Sequence, residues 1–237
     1  MKIIFSDLDG TLLHKGEKSL NKNIKNSIYS VLESGVAFCI ASGRTYIELK
    51  AFFKEFENDI YFICNDGSLG VFKEKTFFDN PIDKGVFQDF KEYTAHGKYV
   101  TYVKSSRSIF VRDAAKKYNG HIMAIDSIYD IQGDIYKISD FDKTVECTLP
   151  VVYKDIHMNE YVEKNSDKAN AAGFLIDKLK IAKNNTYAFG DNANDINLFK
   201  ICGKSYAVAN ALPDVKKSAQ KVTYSIENDF TDIIKSN

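Results

Sequence analysis

Charge-poor apolar runs of four to six residues punctuate the chain: KIIFS (2–6), VAFCIA (36–41), YFIC (61–64), TYAFG (186–190) and YAVA (206–209). They lack polar alternation. That is the pattern of strands buried on both faces, as in a parallel sheet covered by helices. Between them lie segments of helical period. In 22–34 the apolar positions Ile24, Ile28, Val31 and Leu32 share one face, and Gly35 follows as a stop. Leu49, Phe52, Phe53 and Phe56 form one face of a helix over 45–56, and these phenylalanines read as core. Ala172, Leu175, Ile176 and Leu179 do the same over 168–180, with Ser166 or Asp167 as N-cap. This alternation predicts an α/β fold, a Rossmann-like doubly wound parallel sheet.

The stretch 81–156 breaks the pattern. It is more polar and its alternation is less regular. KYVTYVK and IYKISDF read as strands, and DKGVFQDFKEYTAHG reads as a helix ending at Gly97. The expected organisation is a core formed by 1–80 and 157–237, with an α+β domain inserted at 81–156.

Composition narrows the function. Lys plus Arg and Asp plus Glu are both 32, so the formal net charge is zero. That argues against a nucleic-acid or anionic-membrane partner, which favours a basic face. No apolar run approaches the roughly 18–20 residues of a spanning helix. A single Lys2 before a short apolar strand is unlike a signal peptide. Cys39, Cys64, Cys147 and Cys202 form no C-x-x-C pair and read as free thiols of a reducing cytosol. His14, His96, His121 and His157 are isolated, without metal-ligand spacing.

The candidate chemistry lies at strand ends. In an open parallel sheet, ligands bind outside the carboxyl ends of the strands. Asp7 and Asp9 follow the first strand, Ser42-Gly43-Arg44 the second, Asn65-Asp66-Gly67 the third, and Asp191 with Asn194 and Asp195 the TYAFG strand. Polar strand ends are common singly. Four of them with paired-carboxylate spacings point to one acidic site.

DLDGT after an apolar strand, Ser42 in ASGRT, Lys168 in SDKANA and GDNANDINLF (190–199) occur in that order. This set resembles the four motifs of the haloacid dehalogenase superfamily, whose members mostly transfer phosphoryl groups. ICNDGS before an insertion resembles the hinge of the Cof-type branch, which carries a class II, type B cap between its second and third motifs. The resemblance implies a phosphatase working through an aspartyl phosphate, with Asp7 as nucleophile and Asp9 as general acid and base. An Asp at position 9 favours a phosphatase or mutase over the Thr-bearing ion pumps of the family. Lys168 and Ser42 would hold phosphoryl oxygens, and Thr11, Gly10, Gly43, Arg44 and Asn194 would add phosphate contacts. Arg44 is open to either role, phosphate contact or partner of an acid, and Asn210 to a supporting or a capping one. Mg2+ is the implied cofactor. Asp7, Asp191, the Asp9 backbone carbonyl and Asp195 would hold it, Asp195 by orienting a ligand or water.

Three positions depart from the family pattern: Ala169 stands where Gly is frequent, Asn192 replaces the second Gly of Gly-Asp-Gly, and Asp66 interrupts Asn-Gly. They bear on loop geometry and remove no charged group. The expected activity is magnesium-dependent hydrolysis of a small phosphorylated metabolite such as a sugar phosphate, by a cytoplasmic monomer or homodimer. A phosphomutase is the alternative within the fold, and it would turn Lys98, Lys104, Arg107 and Arg112 towards a second phosphate. A non-catalytic phosphate-binding regulatory module is the alternative outside enzymology.

Overall fold

The computed structural model describes residues 1–14, 16–98, 101–104, 122–125, 130–141, 143, 145–154 and 156–236. Among these residues two sheets organise the molecule. The first holds β1 (Ile3–Ser6), β2 (Ala37–Ala41), β3 (Tyr61–Cys64), β4 (Leu69–Phe72) and β5 (Lys75–Asp79). It is completed by β12 (Thr186–Gly190), β13 (Lys204–Val208) and β14 (Lys221–Thr223), in the order β14-β13-β12-β1-β2-β3-β4-β5. The strands from β14 to β3 pair in parallel, and β3-β4-β5 continue as an antiparallel meander. The five apolar runs became β1, β2, β3, β12 and β13. Ile3, Ile4, Phe5, Phe38, Ile40, Phe62, Ala188 and Phe189 are fully buried, as strands covered on both faces require.

Helix α1 (Lys22–Glu33) buries Ile24, Ile28 and Val31 and is capped by Asn21, whose side chain accepts from Ile24 N at 2.9 Å. Helix α2 (Tyr46–Phe52) begins in a Thr45/Glu48 capping box. The periodicity predicts this helix to 56; it ends at Phe52, and a single 3-10 turn over Lys54–Phe56 follows. Phe53 and Phe56 are still buried, because the turn keeps both on the core side. Helix α3 (Lys168–Leu179) is capped by Asp167 rather than Ser166, through Asn170 N at 2.8 Å. Helices α4 (Ile196–Ile201), α5 (Pro213–Ser218) and α6 (Ile226–Lys235) complete the layers.

The second sheet lies between β5 and β12 in the chain. It contains β6 (Tyr93–Gly97), β7 (Thr101–Lys104), β8 (Ile122–Ala124), β9 (Ile135–Asp140), β10 (Val151–Lys154) and β11 (Asn159–Tyr161), in the order β10-β11-β9-β6-β7-β8. It takes in residues 159–161, on the core side of the boundary drawn at 156. Its own apolar cluster includes Phe87, Phe90, Tyr93, Ala95, Ile135 and Ile138.

One expectation fails here. Residues 83–97 are a 3-10 segment over Lys84–Asp89 followed by strand β6, not one helix. Val86, Phe87, Phe90 and Tyr93 mimic a helical stripe. From Tyr93 onward, however, the residues alternate, with Tyr93 and Ala95 fully buried. β6 is hydrogen-bonded to β9 on one side and β7 on the other. Pairing on both edges outweighs the local period. Gly97 marks a register shift against β9 rather than a helix stop. Of the basic residues tied to the mutase alternative, Arg107 and Arg112 lie outside the described residues, as does His121. Lys104 is described only as a strand position. Lys98 donates to Thr76 Oγ1 at 2.9 Å.

Candidate active site

The first strand's ladder does not end at Ser6. Asp7 N donates to Phe189 O at 3.0 Å, so the backbone of Asp7 is still held against β12. The chain then turns tightly: Thr11, Leu12 and Leu13 N all donate to Leu8 O, while Leu8, Leu12 and Leu13 are buried. Gly10 makes this turn at φ +91°, and a Cβ there would lie 2.2 Å from Asp191 Oδ2. Glycine is required both by conformation and by the close approach of the fourth-motif carboxylate. Asn210 Nδ2 donates to Gly10 O at 2.8 Å, so Asn210 supports this turn.

The second motif is fixed at both ends. Ser42 N donates to Ile63 O at 2.9 Å, and Thr45 starts α2. Ser42 is buried, and its hydroxyl accepts from Arg44 N at 3.2 Å. Arg44 closes a fork on Asp9, with Nε to Oδ2 at 2.8 Å and Nη2 to Oδ1 at 2.6 Å. The two roles open to Arg44 are thereby resolved for this state: it partners an acid. The Asp9 side chain remains 51% exposed, facing the cleft rather than the buried acids.

Lys168 is the first residue of α3 and is 1% exposed, whereas Lys164 is exposed. Its ammonium donates to Asp7 Oδ1 and to Asp195 Oδ1, both at 2.7 Å. Burial opposes its charge, but Asp195 and Asp7 outweigh burial and push its pKa well above the ordinary lysine value. Gly67, at φ +97°, passes so close to the start of α3 that a Cβ would lie 2.1 Å from the Asp167 carbonyl. The hinge glycine thus allows the Lys168 backbone to sit where it does.

Asp191 follows β12, and Asp195 folds back to brace it. Asp195 Oδ2 accepts from Asp191 N at 3.0 Å and Asn192 N at 3.1 Å. Asn192 is extended, at φ −124° and ψ 168°, and caps the turn. The missing glycine therefore costs nothing in backbone conformation. Asp66 adopts the left-handed region at φ 56°, which Asp tolerates better than most side chains. Thr11 Oγ1 donates to Asp191 Oδ1 at 3.4 Å. Asn194 is turned to the hinge instead, with Nδ2 donating to Asp66 Oδ1 at 3.1 Å.

Asp7, Asp191 and Asp195 bring carboxylate oxygens within 4.8 Å of one another. Among the described residues, Lys168 alone pairs with this cluster, through Asp7 and Asp195. Burial, with lesser help from Asp195 and Asp191, outweighs Lys168 and holds Asp7 up at about 8. Burial and Asp195 hold Asp191 at about 6, against Lys168. Both oxygens of Asp195 already accept hydrogen bonds, whereas Asp7 Oδ2 accepts none from a described residue. A cluster of hard oxygen donors short of positive charge fits a divalent cation such as magnesium. Beside it opens a cleft of about 560 Å³ lined by Asp9, Gly10, Arg44, Asp191 and Asn210, with His14 and Glu17 on its wall. That volume suits a small metabolite. No described helix is long and apolar enough to cross a membrane.

Comparison with known proteins agrees with this geometry. The 5-amino-6-(5-phospho-D-ribitylamino)uracil phosphatase YbjI of Escherichia coli is 25% identical over 234 residues, covering 89% of this chain and 86% of that protein. A solved haloacid dehalogenase-like hydrolase from Bacteroides thetaiotaomicron superposes with a TM-score of 0.82 at 20% identity, over 98% of this chain and 99% of the other. The HAD subclass IIB sugar phosphatase BT4131 gives 0.77 at 18% identity over 98% of both chains. The family model of the haloacid dehalogenase-like hydrolases matches residues 4–161 and 121–229. This chain belongs to that family of enzymes, in its Cof-type branch.

Proposed function

We propose that the protein is a magnesium-dependent phosphatase that hydrolyses the monophosphate of a small, hydroxyl-rich metabolite, such as a sugar phosphate, through an aspartyl-phosphate intermediate. The observation that carries this reading is the state of Asp7. Its backbone is pinned to β12 and one of its oxygens is held by buried Lys168, while the other accepts no hydrogen bond from a described residue. A rigidly aimed carboxylate with one open oxygen is what in-line attack on phosphorus needs.

In the first step Asp7 Oδ2 attacks phosphorus, the bond to the leaving oxygen breaks, and Asp9 gives that oxygen its proton. In the second, Asp9 takes a proton from water, whose oxygen attacks the phosphorus and releases phosphate and Asp7. Lys168 neutralises charge at the nucleophile, and the Ser42 hydroxyl and Arg44 receive phosphoryl oxygens. For Arg44 to do so, its fork on Asp9 must loosen as substrate enters, which also frees Asp9 to carry a proton. A magnesium ion held by Asp7, Asp191 and the Asp9 carbonyl would supply the positive charge this acidic pocket lacks. Relatives named for a phospho-ribityl compound and a sugar phosphatase among the structural neighbours support the substrate class. The balanced charge and four widely spread cysteines support a cytoplasmic enzyme with no nucleic-acid partner.

The test is phosphate release from an aryl phosphate and a sugar-phosphate panel, with magnesium and with chelator. Asp7→Asn is the control. Magnesium-dependent release that vanishes in Asp7→Asn is expected. Activity that survives in Asp7→Asn would show that another group is the nucleophile.

A further inference from the structure

Lys137 sits in the middle of a cap strand yet is only 6% exposed. After a register shift against β6 near Ile135, strand β9 alternates over Lys137–Ser139. Ile138 points into the apolar cluster of the second sheet, and Lys137 and Ser139 occupy the opposite face. That face meets the core. Lys137 Nζ donates to Gly43 O at 2.8 Å, across 94 residues of chain. It also lies 3.2 Å from Glu160 Oε2 and 3.7 Å from Asp66 Oδ2. Burial works against the ammonium charge, but Asp66 and Glu160 outweigh it and raise its pKa.

Two of these three partners belong to loops of the active site. Gly43 lies between Ser42 and Arg44, which are the proposed phosphoryl contacts. Asp66 uses its other oxygen to accept from Asn194, in the turn between Asp191 and Asp195. The second-motif loop is also packed directly on Asp66: a Cβ on Gly43 would lie 3.0 and 3.1 Å from its carboxylate oxygens. Behind Lys137 the network continues inside the cap. Ser139 Oγ donates to Glu160 Oε1 at 3.0 Å, so its contact with His96 Nε2 at 3.0 Å has His96 as donor. That tautomer agrees with a neutral imidazole, whose pKa burial and Lys137 depress to about 3.

An ammonium has three N–H groups. Gly43 O and Glu160 accept from two of them, and the Asp66 carboxylate lies 3.7 Å off as a further ion-pair partner, so the ammonium is engaged by the protein's own groups. We infer that Lys137 is a positioning residue for phosphoryl transfer: with the cap seated, it fixes the Ser42–Arg44 loop through the Gly43 carbonyl and the fourth-motif turn through Asp66 and Asn194, so cap docking completes the phosphoryl site. This role rests on the phosphatase reading above. Because Lys137 acts through the loops and not on the leaving group, its effect is blind to the leaving group's identity.

The experiment compares Lys137→Met and Lys137→Arg with the wild type on an aryl phosphate and on a sugar monophosphate, both with magnesium. Amide hydrogen exchange of the 42–45 segment is followed in parallel. Lys137→Met is expected to lower kcat about tenfold or more, by the same factor on both substrates. Lys137→Arg, which keeps charge and donors, recovers part of the loss, and exchange at 42–45 quickens in Lys137→Met. If Lys137→Met does not fold, Glu160→Gln, which removes one charged acceptor of Lys137, shows a smaller loss of the same kind. A loss confined to the sugar phosphate would make Lys137 a leaving-group ligand and overturn the proposal. So would an unchanged kcat on both substrates, even with a lowered melting temperature. Absence of hydrolysis by the wild type is a different failure: it refutes the phosphatase reading, and this role falls with it.

Discussion

Replacing Lys168 by Met tests the electrostatics of the site most directly. The lysine is 1% exposed and pairs at 2.7 Å with two carboxylates, of which Asp195 is fully buried and Asp7 nearly so. Methionine fills a similar volume, so the cost is electrostatic rather than a cavity. Breaking a buried pair by removing one partner costs about 3–5 kcal/mol, since the other charge is left uncompensated. Here the cost has a pH signature. Asp7 already holds a proton up to about 8 in the metal-free protein. Without Lys168, a further carboxyl of the cluster must stay protonated in the folded state, whereas in the unfolded chain it ionises near the ordinary Asp value of about 3.9. Between those two pKa values the folded state binds the extra proton, so stability falls as pH rises, by about 1.4 kcal/mol per unit. The destabilisation relative to wild type is then about 1–2 kcal/mol at pH 5 and about 5 kcal/mol at pH 8. Urea melts of both proteins at the two pH values, in chelator, measure it. A loss independent of pH, or below about 1 kcal/mol at pH 8, would refute the charge-compensation argument.

Three further outcomes follow from the same geometry. Magnesium raises the melting temperature more at pH 8 than at pH 5.5, because at the lower pH a cation must displace protons from Asp7, at about 8, and Asp191, at about 6; equal shifts in calorimetry would contradict this. Gly10→Ala forces a Cβ to 2.2 Å from Asp191 Oδ2 at φ +91° and is expected to lower kcat/KM at least about tenfold with a stability loss of about 1–3 kcal/mol; wild-type kinetics would show that the turn can relax. Arg44→Met removes a fork whose partners are 32% and 51% exposed, so stability changes by less than about 1 kcal/mol while kcat/KM falls; a melting loss as large as that of Lys168→Met would mean the pair is structural.

The core was legible because its signals are local and mutually consistent. KIIFS, VAFCIA and TYAFG have no polar face, so they had to be covered on both sides, and a parallel sheet is the arrangement that does this. Strand-end carboxylates then had to converge on one sheet edge, and Asp7, Asp191 and Asp195 do. The periodicity could not show how the acids divide their work. Asp195 is bonded through both oxygens, Asp9 is held away by Arg44, and Asn194 is taken by Asp66. These are pairwise choices among neighbours tens of residues apart, and no spacing encodes them.

The cap was less legible, for a different physical reason. Its sheet has one face on its own apolar cluster and on the other carries polar residues such as Lys137 and Ser139, so apolar periods there are short and a 3-10 turn followed by a strand can imitate a helix, as in 83–97. Yet IYKISDF held a signal. A strand reading Ile135, Tyr136, Lys137, Ile138, Ser139 places Lys137 and Ser139 on the same face, away from Ile138. Buried without acidic partners, the lysine would lose its charge. Burial of Lys137 therefore demands acidic partners from elsewhere in the fold. Glu160 comes from the neighbouring cap region and Asp66 from the hinge of the core. A buried charge inside a small, separately cored domain is hard to justify for the domain's own stability, because an apolar residue of that size would serve as well. It is justified if the charge has to recognise one docking position of that domain, which is the position where Gly43 O and Asp66 converge on its ammonium.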